Sequence, residues 1–91
     1  MQIRGVIRSA GLQEHPPGSE CIELVLSVQG VSPGQPRKLV VPYEYLLRDT
    51  TLAPEDVKGR GFAALVSQDG TGRWIVEELS LASKVLRPDV D

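Results

Sequence analysis

The sequence predicts an all-β domain with one short helical connection, and three observations lead there. Apolar and polar residues alternate with a period of two through the extended stretches, as in strands with one buried face. GLQEHPPGSE, VSPGQP and QDGTG, rich in glycine, proline or aspartate, break the chain into short runs. Helix-like grammar is confined to the connection between the third and fourth runs, where YEYLLRDT follows Pro42. The expected order of elements is β-β-β-α-β-β.

The first strand is expected over Met1 to Ala10, with Ile3, Gly5 and Ile7 alternating against Gln2, Arg4, Val6 and Arg8. Gly5 inside it suggests a bend or bulge. Residues 11 to 20 carry two adjacent prolines and two glycines and read as a loop. In CIELVLSVQG, Ile22, Leu24, Leu26 and Val28 share one face, while Cys21, Glu23, Val25, Ser27 and Gln29 share the other. Alternation this clean implies an antiparallel sheet with one wet face. RKLVV continues as the third strand, which Pro42 ends because proline cannot donate to a ladder.

The helix is expected to start with Pro42 at its first position and to turn Leu46 and Leu47 inward. A second short turn follows at LAPEDV, where Thr51 or Ala53 precedes Pro54 and two acids. The fourth strand is expected over Phe62 to Ser67 and the fifth from Arg73 to about Arg87, flanking a hairpin with an Asp-Gly signal. The fifth strand slips in parity, since Trp74 and Val76 fall on one face but Leu79 and Leu81 on the other. A bulge near Glu77-Glu78 would reconcile them.

Composition narrows the functional classes. Ninety-one residues are enough for one core, expected over residues 1 to 88 with a polar tail at 89 to 91. Ten Lys/Arg against twelve Asp/Glu leave a net charge of −2, which argues against a dedicated duplex-DNA or membrane-surface protein. No apolar run approaches the roughly 20 residues of a membrane span, and the N-terminus lacks a signal-peptide core. A cytoplasmic location is the expectation. Cys21 is alone and His15 sits in a proline-flanked loop, so neither a metal cluster nor a nucleophile–base pair is signposted. No catalytic residue, metal or cofactor is expected, and the protein is read as a non-enzyme.

The element order resembles the OB-fold, a five-stranded Greek-key barrel plugged by a helix between strands 3 and 4. The segment LAPEDVKGRGFAALV is similar to the family's passage from short helix through Lys-Gly into an apolar strand. GRWIVEELSLASKVLRP resembles the closing strand of single-stranded-DNA-binding OB proteins, and IRGVIRSAG stands where their bent first strand does. The resemblance implies a ligand surface on strands 2 and 3, rimmed by the loops joining strands 1–2 and 4–5.

On that surface, single-stranded DNA or RNA needs cations along its phosphates and flat side chains for its bases. The candidates are Arg4 and Arg8 on the first strand, Arg37 and Lys38 entering the third, and Arg73 with Trp74 at the last hairpin. Glu23, Val25, Ser27 and Gln29 offer neither an aromatic nor a cation, and weigh against this reading. The alternative is a protein-interaction or self-assembly module that docks a partner or a second copy through the outward face of strand 2. Phe62 is expected in the core, and one of Tyr43 and Tyr45 over the barrel end with its hydroxyl at the surface. Trp74 is either a core plug or a stacking platform, according to the phase of the last strand.

Overall fold

A computed structural model describes residues 1–82. The expected course of the last strand beyond residue 82, to about Arg87, lies outside the described residues, as does the polar tail. The elements are β1 (Gln2–Glu14), β2 (Ile22–Gln29), β3 (Lys38–Val41), α1 (Tyr43–Arg48), α2 (Pro54–Val57), β4 (Gly61–Gln68) and β5 (Trp74–Leu81). The strands close on themselves in the order β1-β2-β3-β5-β4. All neighbours are antiparallel except β3 and β5, whose parallel contact is made at Val40 and Ile75.

Closure depends on β1, which serves two neighbours in turn. Gln2 to Val6 pair with β4, and Val6 to Glu14 pair with β2. The strand therefore runs four residues past the expected Ala10, because Gly11 to Glu14 find partners in Val25 to Ile22. Only the remainder of GLQEHPPGSE is loop. Arg8 is left out of the ladder between the pairs Ile7–Val28 and Ser9–Ser27, so the bulge sits three residues after Gly5. Gly5 has a different task. A Cβ there would collide with the Gln29 carbonyl oxygen and crowd the Val31 side chain and the Phe62 ring. Its missing side chain lets the end of β2 close over the bend.

The second bulge falls where parity demanded it. Leu65 pairs with Glu78 and Val66 with Val76, leaving Glu77 as the extra residue of β5. Val76 and Leu79 are thereby brought to one side, Val76 within the core and Leu79 packed against it. The Glu77 carboxylate turns outward and accepts a 2.8 Å hydrogen bond from the Ser67 hydroxyl. The core comprises Ile3, Ile7, Leu24, Leu26, Val28, Leu39, Val41, Val57, Phe62, Ala64, Val66 and Val76. Each strand contributes to it, and α2 adds Val57 from the connection between β3 and β4.

The helices depart from expectation in two details. Pro42 is the N-cap of α1, not its first residue, and its carbonyl accepts from the N–H groups of Tyr45 and Leu46. Leu47 is exposed, whereas Tyr45 and Leu46 pack on the core. Each helical residue turns by about 100°, so a face centred between Tyr45 and Leu46 leaves Leu47 pointing away. The Tyr45 hydroxyl is not a free surface group either. It accepts from the Leu79 N–H at 3.0 Å and lies 3.3 Å from the Leu79 carbonyl, to which it donates. The β3–β5 pairing ends at Ile75, and Tyr45 supplies the partner that β5 lacks beyond it. The Arg48 guanidinium lies over the ring at 5.1 Å from its centroid. At α2 the N-cap is Ala53, with Pro54 opening the turn.

Two substitutions probe this frame. Gly5→Ala forces the Gln29 carbonyl away and is expected to lower stability by about 1–3 kcal/mol in urea denaturation. Tyr45→Phe keeps the ring but strands the backbone groups of Leu79, with an expected loss of about 1–3 kcal/mol by the same measurement.

Candidate functional site

The outward sides of β1, β2, β3 and β5 form one continuous surface, set by register. Ser9, Ser27 and Lys38 stand side by side in one row. Gly11, Val25, Val40 and Ile75 make the next. A polar row is therefore followed by an apolar row along the strand direction.

Five of the six residues singled out from sequence meet on or beside this surface. Arg8 and Arg37 line one hollow of about 430 Å³, together with Ser27, Val28, Gln29, Gly30 and Val31. Arg8 reaches it because the bulge turns Arg8 and Ser9 outward in succession, and both are exposed. Arg37 stands immediately before β3, where its carbonyl accepts from the Val28 N–H at 2.9 Å. Lys38, Arg73 and Trp74 line a second, smaller hollow of about 250 Å³ with Val40 and Gly72. Arg4 stands apart. It borders a mainly apolar hollow on the β1–β4–β5 wall, with Gly61, Phe62, Ala63 and Ser80 among its neighbours.

Arg73 is not a free cation. Its guanidinium donates to the Glu23 carboxylate at 2.6 Å, with the two side chains 24% and 10% exposed. Because β3 lies between β2 and β5, the Arg73 side chain has to span β3 to make this contact. Val40, although directed away from the core, is only 6% exposed and lies beside Arg73 in the second hollow. The ion pair thus straps the surface over its apolar row and neutralises Glu23. Glu23 is the residue that sequence reasoning misplaced, as an open surface charge. Its partner is 50 residues away and has no local signal.

Trp74 shares the side of β5 that carries Val76, is half-buried, and packs against the core. Ile75 faces outward with Val40. The indole therefore combines both expected roles, closing the core at the start of β5 and walling the hollow beside Lys38.

The hairpin that presents Arg73 and Trp74 is organised by Asp69. One carboxylate oxygen accepts from the Thr71 hydroxyl at 2.8 Å and from the N–H groups of Thr71 and Arg73, each at 2.9 Å. The Thr71 hydroxyl above all, with these backbone donors and the nearby Arg73 charge, holds the carboxyl below the usual aspartate range against the opposing effect of desolvation. Gly72 closes the turn at φ +91°, a conformation that favours glycine.

Comparison of the chain with protein-family models, curated proteins and solved structures gives no match.

Since the folded pKa of Asp69 is depressed, its stabilising contribution is complete above the unfolded value of about 3.9 and fades as pH falls through the lower folded value. Asp69→Ala is expected to lower Tm at neutral pH. The gap from the unsubstituted protein should narrow progressively in melts below about pH 4.

Proposed function

We propose that the chain is an OB-fold module that binds single-stranded nucleic acid without catalysis, through the outward surface of β1, β2 and β3 and the β4–β5 hairpin. The strand order, the parallel closure of β3 on β5, and the helical connection between β3 and β4 support the OB-fold assignment. The observation that carries the function is the convergence of Arg8, Arg37 and Lys38 on one surface whose internal acid, Glu23, is already paired. Phosphates would track these three cations. A base would lie against the exposed part of Trp74, over the shallow apolar floor that Val40 provides. Arg73 would act chiefly by holding the hairpin in place, and Arg4 falls outside the track.

The alternative, a protein-docking module using the outward side of β2, is weakened at the same place. Its apolar element, Val25 with Val40, lies in the row that the Arg73–Glu23 pair straddles. A partner approaching edge-on would find each barrel strand already paired on both sides for part of its length.

Trp74 is the only tryptophan and offers an intrinsic reporter at the proposed site. Titration with an oligothymidylate at low salt is expected to quench it. Affinity should fall as salt rises, with a slope near −0.7 in log–log form for each phosphate engaged. Lys38→Ala and Arg37→Ala should each weaken binding and flatten that slope by about 0.7. Trp74→Ala, followed by anisotropy of a labelled strand, should remove about 1–3 kcal/mol of binding and also lower Tm. Absence of binding at tens of micromolar protein in low salt would overturn the proposal, and a concentration-dependent mass by light scattering would favour the docking module.

A further inference from the structure

We infer that the Arg8–Arg37 hollow is a subsite for a terminal phosphate monoester, so that the surface prefers strands with a phosphorylated end. The inference rests on the single-strand reading above and makes it more specific.

Three features point to a phosphate, and the first of them favours a monoester. The first is charge. Two guanidiniums from separate elements line one hollow, and among the described residues neither has a carboxylate partner. A phosphate monoester carries about −1.5 to −2 at pH 7, which matches two arginines; an internal diester carries a single negative charge. The second is donor chemistry. Arginine forks suit phosphate oxygens in bidentate geometry, and the Ser27 hydroxyl and Gln29 side-chain amide in the same lining supply further donors. The third is the convergence of several elements on one hollow. The hollow is bounded by β1 at Arg8, by β2 at Ser27 to Gln29, and by both ends of the β2–β3 loop at Gly30, Val31 and Arg37.

The neighbouring surface continues the assignment. Lys38 follows Arg37 directly and belongs to the second hollow, with Trp74 on its wall. A strand anchored by its terminal phosphate would place its next phosphate near Lys38 and a base near the indole.

The test compares three probes of one base composition: an oligothymidylate with a terminal phosphate, at the 5′ or the 3′ end, its hydroxyl-ended counterpart, and thymidine monophosphate. Binding is followed at about pH 7.5 and about pH 5.5, on either side of the phosphate's second pKa near 6. Arg8 and Arg37 are the ionisable side chains in the lining, and the second ionisation of the phosphate falls within this range. At the higher pH the phosphate-ended strand should bind roughly tenfold tighter than the hydroxyl-ended one, the effect of one or two added charge-assisted hydrogen bonds. The advantage should shrink at the lower pH and disappear in Arg37→Ala and in Arg8→Ala. Arg37 lies outside the strands, so unchanged melting of its variant separates lost recognition from lost fold.

Equal affinity for the two strands at both pH values would overturn the subsite and leave the single-strand reading standing. Binding of neither strand would overturn both. Thymidine monophosphate binding as tightly as the phosphate-ended strand would also overturn the inference, by showing a site for free nucleotides.

Discussion

Everything in this molecule depends on the period-two geometry of side chains in a closed sheet. In a strand that serves two neighbours, a one-residue mismatch between sequence parity and the inward side is taken up by a β-bulge. Two residues absorb that mismatch, Arg8 in β1 and Glu77 in β5. Each is skipped by the ladder, and each resets which side of the strand faces the core. Val76 and Leu79 reach the same side only because Glu77 stands between them out of register. The Arg8 bulge has a consequence on the surface as well. It exposes two successive residues, Arg8 and Ser9, so the device that lets the barrel close also delivers a guanidinium to the candidate site.

The Arg73–Glu23 pair is the second organising interaction. Its worth is not chiefly in Coulomb energy, since a partly exposed ion pair gains little net stability. Its effect is geometric and electrostatic. It ties the β4–β5 hairpin to β2 across β3, at a place where β3 and β5 share only the Val40–Ile75 pairing. It also removes one negative and one positive charge from the surface, leaving Arg8, Arg37 and Lys38 to set the local field. The chain as a whole is acidic, with a net charge of −2. The field at this surface therefore follows from local charge placement, not from the sign of the whole molecule.

How much of this could be read from the sequence divides by range. Elements governed by local pattern were legible: the β2 alternation, the Pro42 stop, a helical turn at Pro54, and the Asp-Gly hairpin. The bulge near Glu77 was legible too, because parity within a single strand exposes the slip. The errors have two causes, a dependence on distant partners and the phase of a short helix. Gly11 to Glu14 looked like loop because glycine and polar residues weaken strand propensity, yet Val25 to Ile22 recruit them into the ladder. Leu47 looked buried beside Leu46, but the packed face is centred between Tyr45 and Leu46 and turns Leu47 away. Of the candidate site, the residue types were legible and their grouping was not. Nothing in the sequence says that Arg8 meets Arg37, that Arg73 meets Glu23, or that Arg4 faces the other wall.

Trp74 shows why fold and site cannot be fully separated here. A tryptophan buried outright would stabilise the barrel and be invisible to a ligand; one fully exposed would offer a stacking face at the cost of an open core. At the start of β5 the side chain takes the inward side, and there it is only half-covered. Its core-facing edge excludes water from the end of the sheet, while the remainder walls a hollow next to Lys38. The indole is thereby held rigidly by packing before any ligand arrives, so a base placed on it would meet a surface already ordered. With four aromatic residues in the chain, and Phe62 and Tyr45 committed to packing, such a surface has few other stacking positions to draw on. Affinity built on three cations and one indole edge would be dominated by phosphate contacts, and so would be tolerant of base sequence and steeply sensitive to salt.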